Sequence, residues 1–209
     1  MSKPSFLQTR NLTTMAVLTA IASILYTDLF EIPIVLFYKL DLSNLPVLLA
    51  TFSMGPVAGT ITLLLKALIG LTHSSSLGVG ELADFLVGAS MLWPAGLLYR
   101  RNHTRKGALI GMLTGTAVAT VAAVFCNLWI LIPFYGVAYH MPVEQIVEMG
   151  KSILPAIDSV EKFVTLITAP FNLLKWVAIS ALTYAIYKPL SPVLHGLSRR
   201  KAVREEARP

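Results

Sequence analysis

The chain carries little charge and almost no cysteine. Only 13% of its 209 residues are charged, whereas 55% are hydrophobic, and so few charges do not coat a soluble globular protein. The single cysteine, Cys126, excludes an internal disulfide and lies in an apolar run where a small hydrophobic side chain fits. Uncharged runs of about 20 residues, enough to span a bilayer as a helix, recur along the sequence. We therefore predict an all-α integral membrane protein.

Motifs for catalysis are also lacking. The nearest match to a phosphate-binding loop, Gly150-Lys151-Ser152, has Gln145 where that loop requires its first glycine. The sequence contains no HExxH and no GxSxG motif. The histidines fall in predicted loops or in the tail, which gives little support to a metal site: His73, His103, His140 and His195. We therefore expect no enzyme, no bound metal and no cofactor.

The apolar runs predict six transmembrane helices in one domain, 1–209. The uncharged run from Leu42 to Leu65 is too long for one untilted helix, and Gly55-Pro56 interrupts it with a turn and a new helix start. Ala20-Ile21-Ala22 superficially resembles a signal-peptide cleavage site, but the apolar run continues to Tyr26, so we interpret it as a retained helix. The predicted helices cover about 12–30, 43–53, 56–72, 80–99, 107–136 and 160–188.

Basic residues indicate the orientation of these helices. Most of the 17 lysines and arginines fall on one side of a six-helix arrangement, which the positive-inside rule assigns to the cytoplasm. Both termini, including a basic tail at 189–209, are therefore predicted to be cytoplasmic. The net charge of +6 is explained by this basic cytoplasmic side and by its contact with anionic lipid. It therefore indicates no nucleic-acid partner. The residues on this side are Lys3, Arg10, Arg100, Arg101, Arg105, Lys106, Lys188, Arg199, Arg200, Lys201, Arg204 and Arg208.

Small residues recur at four-residue spacing in two helices. In the fifth helix they form a ridge that permits close helix approach, and Asn127 is the next residue on it, so it should face protein or a cavity. The first helix has a shorter version, Ala16-x-x-x-Ala20, for which internal packing and contact with another subunit remain equally open. The ridge of the fifth helix consists of Gly107, Gly111, Gly115, Ala119 and Ala123.

Polar residues inside apolar helices are costly, about 3 kcal/mol for a lysine at mid-bilayer. Asn172 and Lys175 are three residues apart and share a helix face, so both can point into one cavity. There an amide offers a donor and an acceptor and an ammonium offers only donors, which suits a neutral heteroaromatic ligand. Alternatively, Asn172 bridges two helices and Lys175 snorkels or pairs with an acidic side chain. Lys66 has no obvious partner in the sequence.

Four passages resemble the substrate-binding S components of energy-coupling factor (ECF) vitamin transporters, and among them the riboflavin-specific members. They extend over most of the chain from the first helix to the last. Family members commonly have asparagines where this chain has Ala67 and Asp84. The passages are Lys39-Leu40-Asp41-Leu42-Ser43 followed by Pro46, Gly55-Pro56-x-Ala58-Gly59, Gly78-Val79-Gly80-Glu81-Leu82-Ala83, and Pro170-Phe171-Asn172-x-x-Lys175.

The resemblance implies a riboflavin site near the external face. Its isoalloxazine edge would be hydrogen-bonded by Asn127, Asn172 and Lys175, under a lid that carries Lys39 and Asp41. Further candidates for ligand contact are Leu40, Tyr135, Phe171 and Glu81. Trp129 is a candidate stacking wall, although aromatic residues near helix ends are often interface anchors.

The resemblance also implies partners. Ala16-x-x-x-Ala20 would pack against a transmembrane coupling (T) subunit, which joins two cytoplasmic ATPases in the plasma membrane of a prokaryote. The loaded S component would reorient in the membrane, driven by ATP hydrolysed elsewhere. Three alternatives remain open: an S component for another vitamin or a flavin analogue, a membrane adaptor without a ligand, and a stand-alone facilitator.

Overall fold

The computed structural model describes residues 9–35, 38–74 and 76–186. Lys3, the end of the last predicted helix at 187–188 and the basic tail at 189–209 lie outside these residues. The described chain is mostly helical. Its helices are α1 (Thr9–Leu25), α2 (Asn44–Met54), α3 (Pro56–Gly70, followed by a 3-10 turn, Leu71–His73), α4 (Val79–Arg101), α5 (Arg105–Ala138), α6 (Val143–Ile153) and α7 (Val160–Ile186).

Four helical stretches are long and apolar enough to cross a membrane. They are Pro56–His73, Val79–Arg101, Arg105–Ala138 and Val160–Ile186. The apolar helix α2 has 11 residues, and α1 has 17 within the described range. Helical spans satisfy most of their backbone hydrogen bonds within each segment, which favours them in a hydrocarbon environment.

The chain between α1 and α2 is a β-hairpin, so the all-α prediction was wrong for this segment. α1 ends at Leu25, five residues before the predicted end at about 30. Strands β1 (Ile32–Val35) and β2 (Tyr38–Leu40) then pair antiparallel. Pro33 has no backbone N–H for a helix, whereas a two-stranded ribbon accepts it at an edge. The apolar residues after Leu25 therefore belong to a turn and a strand.

α6 was not among the predicted helices. It is a short amphipathic helix that buries Ile146 and Gly150 and exposes its charged residues. A Cβ added at Gly150 would lie 2.6 Å from the ring of Phe163, so the glycine lets α6 approach the start of α7. This contact closes one end of the bundle beside the hairpin.

α2 and α3 fold back on each other at Gly55, as the Gly-Pro pair predicts. Gly55 has φ +100°, a conformation that favours glycine, and Pro56 starts α3. A Cβ at Gly59 would lie 1.9 Å from Thr51 Oγ1. The two helices therefore pack closely near the turn.

The small-residue ridge of α5 packs against α4. A Cβ at Gly111 would lie 2.7 Å from the carbonyl oxygen of Ala95, and one at Gly115 would lie 2.7 Å from that of Met91. Both contacts are with backbone, which has little freedom to move aside. The central apolar core includes Leu48, Leu63, Met91, Met112 and Trp176.

Two helices contain a wide π-helical turn, and a proline follows each turn at the same distance. The turns span Asn127–Leu131 in α5 and Val164–Thr168 in α7, and Pro133 and Pro170 stand two residues after their ends. A proline inside a helix lacks an N–H and crowds the carbonyl four residues earlier, and a π-turn is one way to absorb that conflict. The two turns contact each other.

Candidate functional site

A cavity of about 480 Å³ lies between the hairpin, the start of α4, the second half of α5 and the middle of α7. Its wall has many aromatic side chains and a cluster of polar groups. The aromatic residues are Tyr26, Tyr38, Tyr135, Tyr139, Phe171 and Trp176. This combination of apolar walls and a few fixed polar groups is typical of small-molecule sites, which usually measure about 300 to 1,000 Å³.

Tyr38, from strand β2, joins the two π-turns. Its hydroxyl donates to Asn127 Oδ1 at 3.0 Å and lies 2.5 Å from Thr168 Oγ1. The Asn127 side chain also donates from Nδ2 to the carbonyl oxygen of Ala123 at 2.8 Å. The Asn127 amide is therefore held in one orientation by its own helix and by the hairpin. Burial raises the pKa of the Tyr38 hydroxyl, so the hydroxyl stays protonated.

Asn172 also lies on the cavity wall, in α7. Its Nδ2 donates to the carbonyl oxygen of Thr168 at 2.9 Å, and its Oδ1 has no hydrogen-bond partner in the described part of the chain. The side chain is buried and lines the cavity. Next to it, the ring of Phe171 stacks on that of Tyr38, with centroids 4.9 Å apart. Asn172 thus offers an acceptor beside an aromatic wall.

Lys175 lies one turn further along α7 and is paired with two carboxylates. Its Nζ is 2.9 Å from Asp41 Oδ2 and 3.2 Å from Asp84 Oδ1. Asp41 follows the hairpin directly and also accepts from the backbone N–H of Ser43 at 2.9 Å and from the Ser43 hydroxyl. The pairing of Lys175 with acidic side chains, one of the alternatives open from the sequence, is therefore present, and its ammonium still lines the cavity.

Lys66, which had no obvious partner in the sequence, is fully buried in the same network. Its Nζ donates to Asp84 Oδ2 at 2.5 Å, Ser43 Oγ at 2.9 Å and Asn44 Oδ1 at 2.8 Å. The ammonium also lies 4.5 Å from the centre of the Tyr26 ring, a cation–π distance. Lys66 and Lys175 therefore share Asp84 as a counter-ion.

Lys39 anchors the hairpin at the rim of the cavity. Its Nζ is 2.9 Å from Asp28 Oδ1 and 2.7 Å from Glu31 Oε2. The hydrogen bonds that Lys39 donates to Glu31 and Asp28 raise the pKa of Lys39, and the bond from Lys39 lowers the pKa of Asp28. These pairs are partly exposed, so they fix the position of the hairpin more than they add stability.

Glu81 lines the cavity from the first turn of α4, but its carboxylate is already bound. Glu81 Oε2 accepts from the hydroxyls of Ser74 at 2.9 Å and Ser76 at 3.2 Å. These contacts tie the loop between α3 and α4 to the start of α4. Glu81 thus shapes the cavity through this loop.

The structure brings most of the sequence-predicted site residues to one cavity. Tyr135 lines it through α5, whereas Leu40 is not among its lining residues and Trp129 is 75% exposed on the outside of the bundle. Ala16 and Ala20 are exposed on the outer face of α1, which separates them from the cavity. The site residues that line the cavity are Lys39, Asp41, Glu81, Asn127, Tyr135, Phe171, Asn172 and Lys175.

Sequence reasoning missed Tyr38, Thr168 and the polar start of α2. Tyr38 directly precedes the Lys39-Leu40-Asp41 passage, but its strand has only three residues, too short for a period-2 pattern. Ser43 and Asn44 resemble ordinary capping residues in the sequence, since both types are common at helix starts. Within residues 9–35, 38–74 and 76–186, no group of three or more histidine, cysteine, aspartate or glutamate side chains is placed to hold a metal ion.

Comparison with known families identifies the kind of protein. The family of ECF transporter substrate-specific components matches residues 10–187 of this chain. The chain belongs to this family of S components.

Two proteins named as riboflavin transporters and one solved S component are similar over nearly the whole chain. The riboflavin transporter RibU of Staphylococcus aureus (strain TCH60) is 33% identical over 188 residues, which cover 90% of this chain and 93% of that protein. The riboflavin transporter FmnP of Bacillus subtilis (strain 168) is 25% identical over 89% of this chain and 94% of its own. A solved structure described as the S component of a bacterial ECF transporter superposes with a TM-score of 0.70 at 32% identity, covering 88% of this chain and 97% of that one.

The chemistry of the cavity suits a substrate-specific component. Asn127, Asn172 and Lys175 present amide and ammonium groups on two neighbouring helices. Such groups recognise carbonyl and ring-nitrogen acceptors by direct hydrogen bonds, and the aromatic rings supply flat apolar contact. The hairpin contributes Tyr38 and Lys39 to the wall of this S component's cavity.

Proposed function

We propose that this S component binds riboflavin and mediates its uptake through an ECF transporter. The convergence of Asn127, Asn172 and Lys175 on one aromatic-walled cavity carries the proposal. The isoalloxazine ring is flat, and one edge alternates carbonyl and nitrogen groups. An amide can match both kinds of group on that edge, and an ammonium can match its acceptors.

The relatives support the choice of ligand. Two proteins named as riboflavin transporters align with about nine-tenths of this chain. In the proposed pose, Asn127 and Asn172 contact the ring edge from the neighbouring helices α5 and α7, and Lys175 donates to a ring acceptor. Phe171 and Tyr135 flank the ring, and the hairpin with Lys39 and Asp41 closes over it.

The proposed topology has six membrane-crossing helices, in which α1 and α2 join the four longer spans. Arg100, Arg101, Arg105 and Lys106 lie together between α4 and α5, which favours the cytoplasm for that side. Both termini then lie in the cytoplasm and the cavity opens to the outside of a prokaryotic cell. The S component itself is proposed to catalyse no reaction and to need no cofactor.

The proposed partners are a transmembrane T subunit and two cytoplasmic ATPases. The exposed pair Ala16 and Ala20 presents a flat strip on α1, and small residues at this spacing let another helix approach closely. A T subunit packed on this strip would link the S component to the ATPases.

Reconstitution in lipid vesicles tests the proposed transport. Radiolabelled riboflavin should accumulate only when the S component, the T subunit, the ATPases and ATP are all present. Accumulation by the S component alone would favour a stand-alone facilitator. A protein that binds no riboflavin but binds another vitamin would retain the S-component role with a different ligand.

A further inference from the structure

The two buried lysines differ in how many of their N–H groups are used. An ammonium has three N–H donors and no acceptor. Lys66 uses all three, on Asp84, Ser43 and Asn44, and its side chain is 0% exposed. Lys66 therefore has no donor left for a ligand.

Lys175 has one donor left. Two of its N–H groups point to Asp41 and Asp84, and the third has no acceptor within the described part of the chain. Because Lys175 lines the cavity, this remaining N–H is available to a bound molecule. The two carboxylates thus determine how the ammonium faces the cavity.

Asp84 is the residue that connects the two lysines. Its Oδ2 binds Lys66, and its Oδ1 accepts from Lys175 at 3.2 Å and from Asn44 Nδ2 at 2.7 Å. Its side chain is 7% exposed. These contacts link α4 to α7, to α3 and to the start of α2.

We propose that Asp84 is a positioning residue for ligand binding, which acts by holding Lys175 so that one N–H points into the cavity. This inference rests on the proposed function. With Asp41 alone, the Lys175 ammonium would be bonded only to the residue that follows the hairpin. Asp84 adds a second bond, to α4. The two bonds together restrict the direction of the remaining N–H. Lys66 balances the second charge of the pair of carboxylates and does not contact the ligand.

The variants must separate positioning from simple stability. Asp84→Leu removes the carboxylate at similar size, but it leaves Lys66 buried without a counter-ion and should destabilise the protein. The double variant Lys66→Met/Asp84→Leu removes that uncompensated charge and should recover the melting temperature. Asp158→Leu is the matched control, because Asp158 is an exposed carboxylate that does not line the cavity.

Riboflavin affinity is then measured by quenching of flavin fluorescence in detergent-purified wild type and variants. The double variant should bind about tenfold more weakly than wild type, as expected when a charged hydrogen bond is misdirected. Asp158→Leu should bind as wild type does. The same double change is also made in a Lys175→Met variant, which lacks the ammonium. If Asp84 acts through Lys175, the double change should then alter riboflavin affinity by less than about twofold, because the effects of coupled residues are not additive.

A double variant with wild-type affinity would overturn the role of Asp84 while leaving the proposed function in place. An equal, additive loss in the Lys175→Met background would likewise overturn it, since Asp84 would then act independently of Lys175. Wild-type protein that leaves flavin fluorescence unchanged would contradict the proposed function itself, and with it this role of Asp84.

Discussion

The Tyr38 hydroxyl donates a hydrogen bond of 3.0 Å to Asn127 Oδ1. This bond joins the hairpin to the wide turn of α5, and the same hydroxyl reaches Thr168 in the wide turn of α7. The hairpin is thus attached to both of the helices that carry the polar groups Asn127, Asn172 and Lys175. Occupancy of the cavity and position of the hairpin are expected to depend on each other.

Replacing Tyr38 tests this attachment. Tyr38→Phe keeps the ring but removes the hydroxyl, so Asn127 loses one of the two bonds that orient its amide. We expect riboflavin binding to weaken by about 0.5 to 1.5 kcal/mol, the usual net worth of one hydrogen bond. Stopped-flow measurement of riboflavin association and dissociation would place most of the change in a faster dissociation rate. Tyr184→Phe is the control, since Tyr184 is 41% exposed on α7, and equal rates for both variants would contradict the prediction.

Asn172→Ala removes an amide that has an available oxygen at the cavity wall. The edge of the bound isoalloxazine ring would lose its hydrogen-bond partner, which should weaken riboflavin binding by about 1 to 3 kcal/mol. Equilibrium titration with riboflavin should show this loss, whereas Asn102→Ala, at the exposed connection between α4 and α5, should titrate as wild type does. An unchanged affinity would remove Asn172 from the ligand site.

Ala16→Trp tests the proposed contact with the T subunit. A tryptophan on this exposed strip blocks close approach of another helix, so uptake in reconstituted vesicles should be abolished while riboflavin binding stays intact. Ala117→Trp is the control, because Ala117 is exposed on α5, and it should preserve uptake. Loss of binding in Ala16→Trp would point instead to a packing role inside the S component.

Gly115→Ala tests the packing of α4 on α5. The added methyl group would lie 2.7 Å from the carbonyl oxygen of Met91, and relief requires a shift of one helix. Overpacking of this kind typically costs about 1 to 3 kcal/mol, which should appear as a lower melting temperature. Gly136→Ala meets its nearest atom at 3.6 Å and should melt near the wild-type temperature. Equal melting temperatures for both variants would refute close packing at Gly115.

The asparagines and the lysine on the cavity wall could be predicted from the sequence, because their positions follow the spacing of a helix. Asn172 and Lys175 stand three residues apart in an apolar helix, and polar groups in such a helix need a partner or a ligand. The structure places both on the cavity wall. Asn127 was expected to face protein or a cavity, since it continues the ridge of small residues in α5, and it does so.

Other parts depend on contacts between distant segments and could not be read from local patterns. Lys66 and Asp84 are 18 residues apart and meet only because α3 and α4 pack side by side. Tyr38 lies 130 residues before its partner Thr168. The hairpin was hidden because its apolar residues continue the hydrophobic run of α1, and short apolar runs do not distinguish strand from helix. The two wide turns are explained by Pro133 and Pro170, but proline also occurs inside α4, at Pro94, so proline alone does not predict such a turn.

The most direct measurement is a fluorescence titration of the detergent-purified protein with riboflavin, preceded by a visible absorption spectrum. We predict a saturable quenching of flavin fluorescence with one ligand per chain, and a yellow protein when flavin is retained through purification. A protein that leaves flavin fluorescence unchanged throughout the titration, while still folded by circular dichroism, would contradict the account.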